Sequence, residues 1–227
     1  MEIAHNEADT CRKFITPQLV AAGWETLPYS LTQERYFTDG RITVTQGKGK
    51  RGERKRADYI LRYQSYAIAV VEAKEYAAPA ATGLQQAKEY AEMLGLKFAY
   101  ATNGQHIIEF DYITGQQRTL QHYPSPGELW ARLSVAEKLT PQVDTHLLEP
   151  MYPDQSKSPR YYQEIAINRA VQAVAQGQQR ILLTLATGTG KTFVAFQICW
   201  KLWHSRWNRT GAATAHSFPG RPQCVAR

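Results

Sequence analysis

Two apolar runs, Ala57–Tyr63 (ADYILRY) and Tyr66–Lys74 (YAIAVVEAK), are separated only by Gln64 and Ser65. Runs of this length and content read as strands, and the second is the continuous apolar kind that is covered on both faces. So short a connection predicts a β-hairpin. With the turn centred on Gln64 and Ser65, antiparallel partners sum to a constant, and Asp58 falls within about one residue of opposite Glu72. Two carboxylates then meet at one end of the hairpin. Side chains two apart on a strand share a face, so Glu72 and Lys74 point together.

That trio is equipment for phosphodiester hydrolysis. Oxygen ligands from Asp58 and Glu72, with a backbone carbonyl and waters, suit octahedral Mg²⁺, which polarises a phosphate and acidifies a bound water. Lys74 would orient or help deprotonate that water and offset negative charge growing on the phosphate. Gln86 and Tyr90, at i and i+4 in LQQAKEY, share a helix face and could hold a phosphate or buttress the site, and Glu7 could add a further acid to the metal. The bland alternative is that these are solvated strand-end acids. Just upstream, Gln46–Arg56 (QGKGKRGERKR) is glycine-rich and basic and reads as a mobile loop. Its Lys48, Lys50, Arg51, Arg54, Lys55 and Arg56 would grip phosphates without sequence preference, or merely solvate a connector. The chain's 27 Lys and Arg against 20 Asp and Glu, a formal charge of +7, favour a polyanionic partner without naming one.

The flanks supply further elements. Glu7 to Gly23 reads as a helix to about Ile15 and a restart with Thr16 as N-cap, Pro17 at the first position and Gly23 as terminator. The stretch that follows, to Thr45, has little period. Thr82 to Leu94 reads as a helix stopped by Gly95, Lys97 to Thr102 as a strand, and Asn103-Gly104 and Thr114-Gly115 as turns into HIIEFDY and QQRTLQHY. Gly127 to Leu139 reads as a closing helix. Cys11, Cys199 and Cys224 are too scattered for a disulfide framework, and the N-terminus lacks the basic start and apolar run of an export signal, so a reducing, cytoplasmic setting is expected.

Residues 140–159 hold four prolines without period and read as a linker. A second unit then opens with a helix from about Tyr162 to Gln176, the strand Arg180–Ala186 (RILLTLA), the turn in LATGTGKT (Leu185–Thr192), and a helix to about Trp207. That order, strand, glycine loop, helix, is a nucleotide-binding signature. Thr187, Gly188, Thr189 and Gly190 would curl their N–H groups toward phosphate, Lys191 would reach the β- and γ-phosphates of ATP, and the Thr192 hydroxyl would take a place on Mg²⁺.

Taken in order, ADYIL, AVVEAK, Gln86-x-x-x-Tyr90, a proline-bearing linker, RYYQ and ATGTGKT resemble the R subunit (HsdR) of type I restriction enzymes, over about Glu7 to Arg209. The resemblance implies an α/β fold: a restriction-endonuclease-like mixed sheet flanked by helices over residues 1–139, then, after the 140–159 linker, the first elements of a RecA-like phosphate-loop lobe over 160–210. It implies catalytic roles for Asp58, Glu72 and Lys74, with Gln86 and Tyr90 in the motif of RecB-like relatives, and Gln163 as reader of adenine. Implied too are cleavage of double-stranded DNA, ATP-driven translocation, and partnership with methylation and specificity subunits.

The chain departs from the pattern after Thr192, where no D-E-x-H or D-E-A-D carboxylate pair follows. ATP hydrolysis is therefore not expected, and one strand with two helices cannot cover both faces of a parallel sheet. Codons exist for Ala215–Arg227 that, displaced by one base, spell the apolar R-I-L-F-L-A-D-R-N-V-L. A frameshift near Ala213 to His216 would explain the tail at 211–227, chance codon degeneracy being the alternative. The other functional class left open is a catalytically idle DNA- or subunit-binding module.

Overall fold

Asn6 starts the first helix, its side chain accepting the Asp9 N–H at 2.8 Å. α1 (Glu7–Thr10) runs through a π-helical turn, Cys11–Ile15, straight into α2 (Thr16–Ala21). Thr16 therefore lies inside a continuous helix and is no N-cap. A proline within a helix removes a hydrogen bond and crowds the carbonyl four residues back, and the wider π turn ahead of Pro17 accommodates both. Ile15 and Leu19 are buried on this helix, which ties it to the core across that turn, and Gly23 ends it at φ 94°.

The computed structural model describes residues 6–38, 42–45, 48–51, 54–153 and 159–207. β1 (Ser30–Thr38) lies in the aperiodic stretch, and β2 (Ile42–Thr45) pairs with β3 (Lys48–Arg51) as a separate two-stranded ribbon. The expected basic loop is thus largely strand. β4 (Arg54–Tyr63) and β5 (Tyr66–Ala73) form the anticipated hairpin, Tyr59 opposite Val71 and Tyr63 opposite Tyr66, with Gln64 at φ 53° in its turn.

After β5 a 3₁₀ turn, Ala80–Gly83, leads into α3 (Leu84–Leu94), which ends at Gly95 with φ 69°. β6 (Phe98–Thr102) returns parallel to β5, and β7 (Ile107–Asp111) and β8 (Gln116–Leu120) follow antiparallel. The result is a six-stranded mixed sheet in the order β1-β4-β5-β6-β7-β8. Alternation along the central strands divides the core. Tyr59, Leu61, Val71, Phe98 and Tyr100 face one layer with Ile15, Leu19 and Trp24 of the first segment and with Leu129 and Leu133 of α4 (Pro126–Glu137). Ile60, Val70 and Ala99 face the other with Ala87, Tyr90 and Ala91 of α3.

Residues 140–159 are not wholly a linker. Thr140 caps α5 (Pro141–Leu148), whose Val143 and Leu147 are buried. α6 (Tyr161–Ala175) and α7 (Lys191–His204) pack together around Ile167, Val171 and Val194. The expected strand over Arg180–Ala186 does not form: those residues have no regular structure, and Ile181, Leu182 and Leu183 are exposed. A parallel strand needs neighbours to satisfy its backbone and cover its faces, and among the described residues none lies beside it. The tail at 211–227 falls outside the described residues, as do Gln46, Gly47, Gly52 and Glu53 of the basic stretch. No helix among the described residues is long and apolar enough to cross a membrane.

The β6–β7 turn leans on the first helix, where Gln18 Nε2 donates to the Gly104 carbonyl at 2.8 Å. Gly104 has φ 85°, and a Cβ there would stand 2.7 Å from the Phe14 Cβ. Gly104→Ala combines left-handed strain with overpacking and should cost about 2–4 kcal/mol of stability, read as a lower midpoint in urea. An unchanged midpoint would show that the turn moves off the helix at no cost.

Candidate functional site

The ladder partners of β4 and β5 sum to a constant from Leu61 to Tyr59, and one step further puts Asp58 beside Glu72. Both carboxyls are buried. Glu72 and Lys74 lie against Gly83 at the start of α3, and Asp58 lines the cavity beside the first helix with Glu7 and Cys11. Asp58 Oδ2 accepts the Ala73 N–H at 2.8 Å, a bond that spans the two strands just where the hairpin opens. Lys74 Nζ lies 3.2 Å from Glu72 Oε1 and 3.1 Å from Gln86 Oε1, and Gln86 Nε2 donates to the Tyr90 hydroxyl at 2.9 Å. The i, i+4 pair on α3 thus holds the lysine rather than standing apart from it.

Burial is the dominant electrostatic fact. It raises the Asp58 carboxyl above its ordinary range, against the opposing Ala73 hydrogen bond. Burial, with the Asp58 charge beside it, pushes the Glu72 carboxyl up to about 8 despite Lys74. Glu72 Oε2 is also buried, with no hydrogen-bond partner among the described residues. A buried, unsatisfied carboxylate oxygen next to a second carboxylate is costly unless a cation joins them. The donor set is hard oxygen, and the pair fits a small divalent ion with its remaining positions on water and backbone.

Glu7 takes a different place. Among the described residues no three His, Cys, Asp or Glu side chains gather into a metal cage, so Glu7 does not complete a three-acid cluster. It lines a cavity of about 580 Å³ shared with Asp58, Cys11, Gln33 and Arg56. Arg56 Nη2 lies 3.9 Å from both Glu7 Oε1 and Asp58 Oδ1, which makes the arginine the link between these acids. Lys55 lies 3.6 Å from Glu89 of α3 and over the Tyr90 ring. Lys48, Lys50, Arg51 and Arg54 have described backbone only.

One residue escaped the sequence reading. Gly83 has an ordinary backbone, φ −84° and ψ −13°, so conformation does not require glycine there. Space does: a Cβ would stand 3.1 Å from Lys74 Cε and 3.3 Å from its Cγ. Gly83 is a seat for the lysine stem. Its only sequence signal is a glycine at a helix start where Ser, Thr or Asp is commoner.

At the second candidate site Gly188 and Gly190 adopt φ 78° and 84°, and Lys191 and Thr192 open α7. Gln163 Nε2 donates to the Thr189 carbonyl at 2.8 Å, while its Oε1 accepts the Arg160 N–H at 2.9 Å. Thr189 Oγ1 donates back to the Ala186 carbonyl at 2.7 Å, and Thr187 precedes this turn. The glycine loop and helix are present, and the preceding strand is not.

The Glu72 carboxyl titrates near 8 when folded against an ordinary 4.5. The folded state holds that proton more tightly, so its contribution to stability is full below about 4.5 and is lost as pH rises through about 8. With divalent ions chelated, urea midpoints should fall from pH 5 to pH 8, and Glu72→Gln should flatten the fall. Parallel profiles for the two proteins would place the carboxyl elsewhere than in this buried pair.

Residues 156–214 match the model of the type III restriction enzyme res subunit. The chain is 39% identical over 208 residues to the EcoAI type I restriction endonuclease subunit of Escherichia coli, covering 88% of this chain and 26% of that protein. It is 27% identical to the EcoKI endonuclease subunit of E. coli K12, over 86% of this chain and 21% of that protein. Among solved structures, a fragment assigned as the HsdR subunit of a type I restriction enzyme from Vibrio vulnificus YJ016 superposes with a TM-score of 0.82 at 55% identity, over 93% of this chain and 40% of that one. The chain spans about a quarter of the length of the curated relatives it matches. Over that span it belongs to the family of type I restriction enzyme endonuclease subunits, HsdR.

Proposed function

We propose that the sheet domain, residues 1–139, is a Mg²⁺-dependent nuclease cleaving double-stranded DNA as part of a type I restriction system. The observation that carries the reading is the convergence of Asp58, Glu72 and Lys74 in one cluster whose buried Glu72 Oε2 finds no partner among the described residues. Asp58 and Glu72 would hold the ion. When bound, it supplies Lewis acidity toward a phosphate oxygen and the attacking water.

The chain's own residues do the rest. The Ala73 N–H fixes one Asp58 oxygen, and the other, 3.9 Å from Arg56, would be available to the ion. Lys74, braced by Gln86 and seated against Gly83, aims its ammonium at the oxygens of the same cluster. There it can orient a water and offset charge on the phosphorane-like transition state. Arg56, beside Asp58 at the cavity, is placed to meet a backbone phosphate. Residues 160–210 would form the start of an ATP-binding motor lobe, with Gln163 and Thr187–Thr192 at the nucleotide, and methylation and specificity subunits would direct the cutting.

Supercoiled plasmid with Mg²⁺ tests this. Weak, sequence-independent nicking is expected, and Asp58→Ala or Lys74→Ala should lower it by at least ~100-fold. Nicking that survives both substitutions refutes the site; salt-sensitive binding without nicking favours an idle DNA-binding module. Gly83→Ala should lower the nicking rate by about 10-fold or more through displacement of Lys74, at a KM for DNA like that of the wild type. Full activity in that variant would show that the lysine needs no seat.

A further inference from the structure

Adjacent residues at the start of α6 point to two different parts of the molecule. Gln163 reaches the phosphate loop, where its amide holds the Thr189 carbonyl. The fit is close: a Cβ on Gly190 would stand 2.6 Å from Gln163 Nε2. Glu164, the next residue, turns the other way and receives Arg62 in a two-pronged ion pair, Nη1 to Oε1 at 2.7 Å and Nη2 to Oε2 at 3.1 Å. Both partners are largely buried, with side-chain exposures of 15% and 9%. Bidentate charged pairs of this kind fix orientation as well as distance.

Arg62 belongs to the hairpin that carries Asp58 and Glu72. The β4–β5 register shifts between Leu61 and Arg62, a bulge that re-aims the arginine. Arg62 Nη1 also donates to the Ser65 carbonyl at 2.9 Å, and the Ser65 hydroxyl to the Leu148 carbonyl at the end of α5 at 2.8 Å. The tip of the hairpin is thereby built into the helices, while its open end holds the carboxylates.

We propose that Glu164 is a positioning residue for the phosphate loop: through Arg62 it anchors the first turn of α6 to the tip of the carboxylate-bearing hairpin and so holds Gln163 against Thr189. The loop lacks the strand that would otherwise support it from behind. Its support comes from the glutamine and from the Tyr162 hydroxyl, which donates to the same Thr189 carbonyl at 3.3 Å, and both sit on the helical turn that Glu164 ties to the sheet. The meaning for function rests on the reading of residues 186–192 as a nucleotide loop. The mechanical claim does not.

Hydrogen exchange of the full chain tests it, comparing wild type, Glu164→Gln, Arg62→Met, the double variant and Gln163→Ala. Glu164→Gln is isosteric and keeps the site filled. Amides of residues 187–192 should exchange about 10-fold faster in each variant, the scale of one lost charge-assisted hydrogen bond, with the double variant no faster than either single. Amides of β6 should stay as protected as in the wild type. Unchanged loop exchange in both single variants overturns the proposal, and so does equal loosening of β6, which would signal general destabilisation. A fluorescent ATP analogue added to the same proteins separates the two ideas. Failure of the wild type to bind it, with the loop pattern as expected, removes the nucleotide reading and leaves the anchoring intact.

Discussion

The pairing of two carboxylates at the open end of one hairpin constrains this structure more than any other interaction. Charge repulsion and burial both oppose it, and the protein maintains it by covalent and backbone means: strand neighbours in fixed register, and the Ala73 N–H bonded to Asp58 across the gap. The surrounding elements serve the same cluster. α3 supplies Gln86 to brace Lys74 and Tyr90 to brace Gln86, and Gly83 of the 3₁₀ turn before it makes room for the lysine stem. The first helix brings Glu7, which meets Asp58 through Arg56.

The helices beyond the sheet are held by polar bonds in a largely apolar setting. Lys201 of α7 is buried, donating to the Leu147 carbonyl at 2.8 Å and to Asn168 Oδ1 at 3.2 Å, and burial lowers its ammonium to about 8. His146 Nδ1 and the Ser205 hydroxyl lie 2.8 Å apart, and Gln197 bonds both the N–H and the carbonyl of Tyr152. Such directional contacts specify one arrangement of α5, α6 and α7 where a sheet of their own is lacking. The exposed Ile181–Leu183 run beside them is strand-like in composition and finds no sheet among the described residues to join.

Legibility from sequence followed the reach of each physical cause. The hairpin is readable because its determinants are local: two apolar runs, a two-residue turn, and a period that puts Glu72 and Lys74 on one face. Thr-Pro shows the limit. At Thr16-Pro17 the pair reads as a helix start, yet Ile15 and Leu19 are buried on either side and the helix runs through; at Thr140-Pro141 it sits in a proline-rich stretch, yet it caps α5. The dipeptide is the same, and tertiary burial decides. β1 was missed because its pairing partner, β4, supplies most of its order. The strand expected before the glycine loop rests on apolar content alone, which cannot reveal whether a neighbouring strand exists. Gly83 and the Arg62–Glu164 pair depend on contacts distant in sequence and leave no trace in spacing.

Calorimetric titration of Mg²⁺ into the metal-free chain at pH 7, in buffers of different ionisation enthalpy, reaches the carboxylate pair most directly. Because Glu72 holds its proton up to about 8 in the absence of an ion, binding should release close to one proton, and Glu72→Gln should abolish that release while Asp58→Asn weakens binding outright. Binding of equal strength in both variants, or binding without proton release in the wild type, would contradict a cation shared by these two buried carboxyls.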